Sequence, residues 1–390
     1  MSTQNPIFIP GPTNIPEALR RAVDFPSIDH RSTTFAEIFQ PLFPALKRIL
    51  KLEAGEVFVF PATGTGGWEA AVTNVLSPGD SVLAARHGMF SHRWIGLCQR
   101  HNLEVEIVEA PWGAGVPADE YERILTADTG HAIKAVLVCH NETATGVRSD
   151  VAAVRRAMDA AGHPALLLVD GVSSIASMDF RMDAWGVDIA VAGSQKGFML
   201  PAGLAILGVS PKAIAAIETA ENTRCFFDFR DMLSANSVGG FPYTPPINLI
   251  RGLGVSLSML EDEGLDNVFA RHHRIACGVR AAVGAWDLTL CAKDPTLYSD
   301  TVSAIVVPED VDAGEIVSLA AQKYGVAFGI GLGEIATKVF RIGHLGSLTD
   351  VMTLSGIATA EMVMTDLDMQ IKLGSGVAAA QAFYRSGQGG

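Results

Sequence analysis

Two ionisable residues follow short apolar segments in the second hundred residues of the chain. One segment reads Pro-Ala-Leu-Leu-Leu-Val-Asp and ends at Asp170. The next reads Val-Asp-Ile-Ala-Val-Ala-Gly-Ser-Gln-Lys and ends at Lys196. Continuous apolar runs are typical of buried parallel strands, and open α/β sheets bind ligands at the carboxyl ends of such strands. The sequence therefore predicts an acid and an amine at one edge of a sheet.

An acid and an amine in this arrangement suit pyridoxal 5′-phosphate (PLP). The amine can carry the cofactor as a Schiff base, and the carboxylate can pair with the protonated pyridine nitrogen. The simpler alternatives are a solvated lysine in the turn 193–197 and an ordinary capping aspartate before Gly171. We favour the catalytic interpretation because a carboxylate that follows five apolar residues is buried and needs a partner.

A glycine-rich turn over residues 63–67 lies between a predicted strand and a predicted helix. Backbone amides and the helix dipole at such a helix start can bind a phosphate group. The turn has neither the Gly-x-Gly-x-x-Gly spacing nor the Lys-Ser/Thr pair of a P-loop, which disfavours NAD and ATP. Taken alone, it is equally compatible with an ordinary loop.

Two further side chains have types that suit the same site. Phe90 could stack on a pyridine ring, although a core position is an equal alternative. Arg341 lies in the apolar segment 338–342 and needs an anion there. Its planar fork suits an amino-acid carboxylate, and a structural ion pair is the alternative.

The elements that must position these residues alternate between strand and helix from about residue 55, which predicts an α/β fold with a mostly parallel sheet and helices on both faces. After about residue 260 the pattern changes to that of a smaller α+β domain. The Pro- and Gly-rich start of the chain is typical of an extended arm. We therefore expect an arm over residues 1–20, a large domain over residues 21–263 and a small domain over residues 264–390.

Composition excludes several classes of protein. Of the 390 residues, 48% are hydrophobic and 18% are charged, which allows a large buried core. The net charge of −13 argues against a nucleic-acid partner. The five cysteines are odd in number and widely spaced, so we expect neither a disulfide framework nor a metal site. No apolar run reaches the roughly 20 residues of a membrane span and no signal peptide is evident, so we expect a cytoplasmic protein without a membrane partner.

The chain resembles class-V aminotransferases, which are PLP enzymes of fold type I. The resemblance covers almost the whole chain, and its motifs follow one another in family order. They are Pro10-Gly11-Pro12-Thr13-Asn14, residues 60–66, His140-Asn141-Glu142-Thr143-Ala144-Thr145-Gly146, Val169-Asp170-Gly171-Val172-Ser173-Ser174, Gly193-Ser194-Gln195-Lys196-Gly197, Tyr243-Thr244-Pro245-Pro246 and Phe340-Arg341-Ile342-Gly343. The implied fold has a large domain with a mostly parallel seven-stranded sheet and a small C-terminal α+β domain.

The resemblance also implies a role for each matching residue. Lys196 would carry the cofactor and Asp170 would contact the pyridine nitrogen; both would be catalytic. The other implied cofactor contacts are Thr63, Gly64, Thr65, Phe90, Thr143, Val172, Gln195, Tyr243 and Thr244. Tyr243 and Thr244 would reach the phosphate of a neighbouring subunit, which implies a homodimer. Gly11 and Arg341 would contact the substrate.

Within this family the chain is most similar to bacterial enzymes that use glyoxylate as amino acceptor and make glycine. Their donors include L-serine and L-aspartate, and the residues do not choose between them. Aspartate would need a second cation, for which Arg31, Arg93 and His344 are candidates. The alternatives are alanine as donor, or a desulfurase or lyase of the same family, which would need a mobile cysteine.

Overall fold

The computed structural model describes residues 6–387, so residues 1–5 of the predicted arm and residues 388–390 lie outside the described part. The strands are β1 (Ile7–Phe8), β2 (Glu56–Phe60), β3 (Ser81–Arg86), β4 (Glu104–Glu109), β5 (Ile133–Cys139), β6 (Asn141–Glu142), β7 (Val147–Arg148), β8 (Leu166–Asp170), β9 (Ile189–Gly193), β10 (Ala205–Val209), β11 (Thr289–Leu290), β12 (Val302–Val306), β13 (Ala327–Ile330) and β14 (Val339–Gly343). The helices are α1 (Glu17–Val23), α2 (Thr33–Phe39), α3 (Leu42–Leu50), α4 (Gly64–Val75), α5 (Met89–Arg100), α6 (Ala118–Ala127), α7 (Val151–Ala160), α8 (Pro211–Ala216), α9 (Phe229–Asn236), α10 (Ile247–Glu263), α11 (Leu265–Ala285), α12 (Ala313–Leu319), α13 (Asp350–Asp366) and α14 (Ser375–Arg385).

The large sheet has seven strands in the order β2-β10-β9-β8-β5-β3-β4. Only β10 runs against the others, because it pairs antiparallel with both β2 and β9. Every residue of β8 and β9 is buried, as expected for strands that are covered on both faces. Two separate apolar cores pack against the sheet. The predicted mostly parallel seven-stranded sheet is confirmed.

The strand order brings the parts of the predicted site together. Asp170 ends β8, and β9 lies beside it in parallel with Asp170 opposite Val191. Ala205 of β10 pairs with Gly193 on one side and with Phe60 on the other. The segments that follow β2, β8 and β9 therefore leave the sheet at one edge, and these segments carry the glycine-rich turn, Val172 and Lys196.

A second sheet of five strands has the order β1-β13-β14-β12-β11. Its outer strand β1 comes from the start of the chain and pairs in parallel with β13. Phe8 is fully buried in the core beneath this sheet. The predicted extended arm thus includes a short strand, which the sequence pattern did not indicate because two residues carry no periodicity. Helix α1 runs across the predicted boundary at residue 20, and the domain limits stay a prediction.

Helix ends agree with local signals at some places and not at others. Asp150 caps α7, since its carboxylate accepts a hydrogen bond from the Ala153 amide at 2.9 Å, as is common for an Asp before a helix. Helix α11 passes through Gly284, a residue type that often marks a helix end, and continues to Ala285. The left-handed residue beyond this helix is Asp287, with φ of 57°.

Three general features of residues 6–387 bear on function. No helix in this range combines the length and apolarity needed to cross a bilayer. The same range holds no group of three or more His, Cys, Asp or Glu side chains arranged for a metal ion. All five cysteines are free thiols.

Candidate active site

A cavity of about 270 Å³ lies at the carboxyl edge of the large sheet. Most of the predicted cofactor and substrate residues line it. They are Gly11, Thr63, Gly64, Thr65, Phe90, Thr143, Asp170, Val172, Gln195 and Lys196. The structure thus brings together residues that are up to 185 positions apart, from the arm and five segments of the large domain.

Asp170 presents a buried carboxylate to this cavity and is only 5% exposed. Its Oδ1 accepts a hydrogen bond from the Val172 amide at 2.9 Å, and its Oδ2 lies 3.5 Å from the Cys139 thiol, which donates to it. Within residues 6–387 no Lys, Arg or His forms an ion pair with Asp170. Burial raises the Asp170 pKa to about 6, against the opposing effect of the Val172 amide. A protonated pyridine nitrogen would supply the missing positive charge.

The Trp68 indole lies beside the same carboxylate. Its proximity favours the ionised form of Asp170, yet its buried Nε1 makes no hydrogen bond of normal geometry. Near Asp170 the cavity therefore has an unpaired donor, Trp68 Nε1, as well as the unpaired carboxylate.

Lys196 lies on a turn that several hydrogen bonds hold. Its amide donates to the Gly193 carbonyl at 3.3 Å, and the Ser194 hydroxyl donates to the Pro201 carbonyl at 2.7 Å. Its Nζ donates to the Pro10 carbonyl of the arm. The Lys196 pKa is lowered to about 8, mainly by burial. The positive charge of Arg341 also lowers this pKa, and that effect is larger than the opposing effect of the negative charge of Asp170. A lysine near its pKa at neutral pH can act as both a nucleophile and a proton carrier.

The arm closes the cavity above Lys196. Gly11 has φ of +115°, and a Cβ at this position would collide with the Lys196 side chain. The Thr13 amide donates to the Gln195 carbonyl at 3.2 Å, which fastens the arm to the lysine turn. Gly11 is therefore the residue that lets the backbone pass so close to the amine.

The start of α4 forms a cradle for a phosphate group. The Gly67 amide makes an early helical bond to the Thr63 carbonyl at 3.0 Å, and the amides before it have no acceptor within the helix. The Thr63 side chain makes no capping hydrogen bond. Gly64 is needed here, since a Cβ would lie 2.5 Å from Val172 Cγ2. Gln195, whose side-chain NH₂ is a donor, also lines the cavity. The unpaired backbone N–H groups at the start of α4 therefore fit the PLP phosphate.

Two apolar side chains border the space between the cradle and Asp170. Val172 and Phe90 both line the cavity, as predicted for groups that would contact the two ring faces. The Arg93 guanidinium lies over the Phe90 ring at 5.6 Å from its centre. The structure therefore gives Phe90 a place at the cavity, and its stacking on the cofactor stays a prediction.

Arg341 lies in β14 and is only 6% exposed. Its Nε donates to the Ile330 carbonyl and its Nη1 donates to the Thr143 carbonyl, each at 2.9 Å. Burial lowers the Arg341 pKa to about 10, so the group is still charged at neutral pH. No carboxylate within residues 6–387 lies at ion-pair distance from it. The structural ion pair considered above is absent from this part of the chain, and a substrate carboxylate remains the natural partner.

Tyr243 and Thr244 do not line this cavity. They lie along a separate groove of about 580 Å³ together with His30 and Arg31. The Tyr243 hydroxyl donates to the Cys225 carbonyl at 2.8 Å, and its ring stacks on Phe226 at 4.8 Å. Within one subunit these residues therefore do not contact the candidate phosphate cradle.

The three candidates for a second cation differ in their surroundings. Arg31 is exposed along the groove with Tyr243, and Arg93 is exposed over Phe90. His344 is fully buried and bonds Ser303 at 3.0 Å and the Asp300 carbonyl at 3.1 Å. Burial lowers the His344 pKa to about 3, so this side chain is neutral and does not suit a carboxylate.

Some residues of the site were missed at the level of sequence. Pro12, Trp68, Ser173 and Ala202 also line the cavity. Trp68 falls on the apolar face of a predicted helix, so the sequence indicated a core position and not a contact with the cavity. Glu142 lies inside a recognised motif but received no role. The position of Glu142 in the sequence does not indicate that its side chain is buried or which residues it contacts. Both become clear only in the folded chain.

With this geometry in place, comparison with known proteins decides the family. The model of the aminotransferase class-V family matches residues 22–341. The chain belongs to the class-V aminotransferases. PLP is the cofactor of this aminotransferase, and its substrates are amino acids and 2-oxo acids. Lys196, Asp170 and the α4 cradle are the residues that fit the cofactor.

Several relatives match this class-V aminotransferase over nearly its full length. An L-aspartate–glyoxylate aminotransferase of Paracoccus denitrificans is 69% identical over 385 residues, which are 99% of this chain and 97% of the relative. A serine–glyoxylate aminotransferase of Hyphomicrobium methylovorum is 56% identical over 381 residues, covering 97% and 94%. The solved pyridoxamine–pyruvate aminotransferase of Mesorhizobium loti superposes with a TM-score of 0.91 at 26% identity and covers 99% of both chains. The fold-type I architecture expected from the sequence is confirmed.

The raised pKa of Asp170 predicts an effect on stability. The folded protein holds the Asp170 proton more tightly than the unfolded chain, whose pKa is about 4. The contribution of Asp170 to stability therefore falls as the pH rises through about 6. Asp170→Asn keeps an acceptor for the Val172 amide but removes this penalty. At pH 7 the cofactor-free variant should be more stable than the parent by on the order of 1–3 kcal/mol, with little difference near pH 4.

Urea unfolding of the cofactor-free proteins across this pH range measures the effect. Asp188→Asn is a matched control, because Asp188 is equally buried but contacts the Leu167 amide at 2.9 Å and Lys212 at 3.6 Å. We expect no gain in stability from that variant. A less stable Asp170→Asn protein at pH 7 would contradict the assignment of an uncompensated buried charge.

Proposed function

We propose that this aminotransferase transfers the amino group of L-aspartate or L-serine to glyoxylate. The products would be glycine and the 2-oxo acid of the donor, oxaloacetate or hydroxypyruvate. The observation that carries the proposal is the 69% identity, over 99% of the chain, with a relative named for aspartate–glyoxylate amino transfer. The 56% identical relative supports serine as a second donor. The cytoplasmic location expected from the sequence stays a prediction.

The residues of the cavity, together with Arg341 beside it, can carry out the separate steps of amino transfer. When bound, PLP supplies an electron-withdrawing ring that stabilises negative charge at the substrate Cα. Lys196 Nζ, with a pKa of about 8, can take the proton from the substrate Cα and deliver it again. Asp170 would hold the proton on the ring nitrogen, and Arg341 would orient the substrate carboxylate. The same residues would act in the opposite order on glyoxylate, which gives a ping-pong sequence.

A desulfurase is not supported by the positions of the cysteines. Cys277 lies within α11, where its thiol contacts His273 and Arg280 at 3.5 and 3.6 Å. Burial raises the pKa of this thiol and raises that of Cys291 to about 11. Neither cysteine lines the cavity. The relatives described above also do not favour alanine as the donor.

A donor screen at fixed glyoxylate tests the function. We expect PLP-loaded protein to form glycine together with an equal amount of oxaloacetate from aspartate or hydroxypyruvate from serine, and less pyruvate from alanine. Chromatography of the keto acids measures the outcome.

Lys196→Ala should abolish turnover and the visible absorbance of lysine-bound cofactor, whereas Lys134→Ala, on an exposed side chain of β5, should change neither. Glycine formation by the Lys196→Ala protein would refute the role of the lysine, and pyruvate as the dominant product would refute the donor.

Substitution of Arg341 tests the carboxylate site. Arg341→Ala should raise KM for both the donor and glyoxylate, by roughly 10- to 100-fold, because each substrate loses a charge-assisted pair of hydrogen bonds. Steady-state kinetics with each substrate varied in turn measures this change. Arg385→Ala, on an exposed side chain of α14, is the control. An unchanged KM for both substrates would remove Arg341 from the site.

We also propose a homodimer in which Tyr243 and Thr244 of one subunit reach the phosphate end of the other subunit's cavity. The support is that both residues border an open groove away from their own cavity. Exposed apolar side chains lie close by, including Phe226 at 42% and Val238 at 77% exposure. Such exposure is typical of an interaction surface.

Light scattering should give a mass of about twice the 41.2 kDa of one chain. Val238→Asp should shift the protein toward monomer and lower PLP affinity in parallel. Thr244→Ala should weaken PLP binding while the dimer persists. A monomer with full PLP affinity and activity would contradict the proposal.

A further inference from the structure

Glu142 is a buried carboxylate next to Thr143, which lines the cavity. It ends β6 and has no solvent exposure. Within residues 6–387 no Lys, Arg or His lies at ion-pair distance from it. A buried charge of this kind is costly unless hydrogen bonds satisfy it.

The hydrogen bonds that satisfy Glu142 come from backbone amides. Its Oε2 accepts from the Ser91 amide at 2.9 Å and from the Phe90 amide at 3.0 Å, and its Oε1 accepts from the Ala144 amide at 3.1 Å. Phe90 and Ser91 belong to the first turn of α5. Glu142 therefore caps a helix that starts some 50 residues earlier in the chain, at the end where the dipole favours a negative charge.

A glycine makes room for this cap. Gly88 precedes α5, and a Cβ at this position would collide with the Glu142 side chain. The Ser91 hydroxyl donates to the Gly88 carbonyl at 3.0 Å and accepts from the His87 amide at 3.2 Å. The Ser91 hydroxyl thus holds the segment before α5, and the Glu142 carboxylate holds the first turn of α5. Together these hydrogen bonds fix the position of Phe90 at the cavity.

The residue that follows Glu142 is connected to the rest of the site. The Thr143 hydroxyl donates to the Ser173 hydroxyl at 2.9 Å, and its carbonyl accepts from Arg341 Nη1 at 2.9 Å. The Ser173 hydroxyl in turn donates to the Asn141 carbonyl at 3.0 Å. Any displacement of Glu142 would therefore move Phe90 on one side and Arg341 on the other.

The charge of Glu142 also acts on Arg341. Burial lowers the Arg341 pKa, whereas the negative charge of Glu142 raises it. The carboxylate thus helps to keep the buried guanidinium charged without occupying its hydrogen-bonding fork. Nε and Nη1 of Arg341 already donate to backbone carbonyls, and the remaining N–H groups of the guanidinium can pair with a substrate carboxylate.

We propose that Glu142 is a positioning residue of the active site. By capping α5 it holds Phe90 at the face of the PLP ring, and through Thr143 it holds Arg341 toward the substrate carboxylate. This role depends on the cofactor and carboxylate sites and not on the identity of the amino donor.

The chain contains a matched control in Glu361, which is 1% exposed and lies in α13 of the small domain. Its carboxylate accepts hydrogen bonds from Trp286 Nε1 at 3.0 Å, from the Gly374 amide at 3.1 Å and from the Gly376 amide at 2.6 Å. Like Glu142 it is a buried acid held mainly by backbone amides near the start of a helix. Unlike Glu142, it has no contact with the residues of the cavity.

The experiment compares Glu142→Gln with Glu361→Gln in the full-length protein. In each variant an amide NH₂ replaces an acceptor oxygen and faces backbone N–H groups, so both should lower the Tm of the cofactor-free protein. Only Glu142→Gln should also raise the PLP dissociation constant, by roughly 10-fold, because Phe90 is no longer held against the PLP ring and its stacking contact is lost. It should also raise KM for donor and glyoxylate more than it changes kcat, and it should shift the visible absorbance of bound PLP.

A PLP dissociation constant and KM values equal to those of the parent, with only the Tm lowered as in Glu361→Gln, would overturn the proposal. If Glu142→Gln does not fold, Glu142→Asp serves the same test, because it keeps the charge but shortens its reach by one methylene group. A double-mutant cycle with Phe90→Leu adds an independent measure. The effects of the two substitutions on PLP affinity should be non-additive if Glu142 acts through Phe90, and additive effects would contradict this route.

Discussion

Charge buried without an ion pair is the constraint on which the site depends. Asp170 and Lys196 lie at the carboxyl edge of the large sheet, and Arg341 of β14 reaches the Thr143 carbonyl from the second sheet. None of the three has an oppositely charged partner at ion-pair distance among residues 6–387. Burial accordingly raises the pKa of the acid and lowers those of both cations. Such groups destabilise the cofactor-free protein and favour a ligand with complementary charges. A pyridinium, a phosphate and a substrate carboxylate together meet that requirement.

The scaffold can tolerate these charges because apolar packing surrounds them. Strands β8 and β9 are buried on both faces, so the segments that follow them leave the sheet from fixed positions. Gly64 allows Val172 to pack against the α4 start, and Gly11 allows the arm to pass over Lys196. The arm itself is anchored through Phe8 in the core of the small sheet. The arm therefore connects the core of the small sheet, which holds Phe8, to the cavity at the edge of the large sheet, where Gly11 lies against Lys196.

Sequence patterns predicted the large sheet well because its signals are local. The apolar runs of β8 and β9, and the glycine-rich turn before α4, each span only a few residues. Asp170 and Lys196, which follow the two runs, mark the edge of the sheet. Strand β1 carried no such signal, since its two residues form a strand only by pairing with β13, more than 300 residues later. Trp68 and Glu142 were missed for a related reason. Both follow ordinary helix or loop patterns, and their importance lies in contacts with distant segments.

The amino-acid sequence by itself determined the fold class and the cofactor chemistry, and it predicted Lys196 and Asp170 as the catalytic residues, because each depends on residue type next to a local apolar pattern. Tertiary structure decided which charges lack partners, how the arm lies over Lys196, and that Glu142 connects Phe90 to Arg341. It also separated Tyr243 and Thr244 from the cavity and showed His344 to be buried and neutral. Burial and hydrogen bonding arise only when segments far apart in the chain meet, and the pKa of each group follows from that environment.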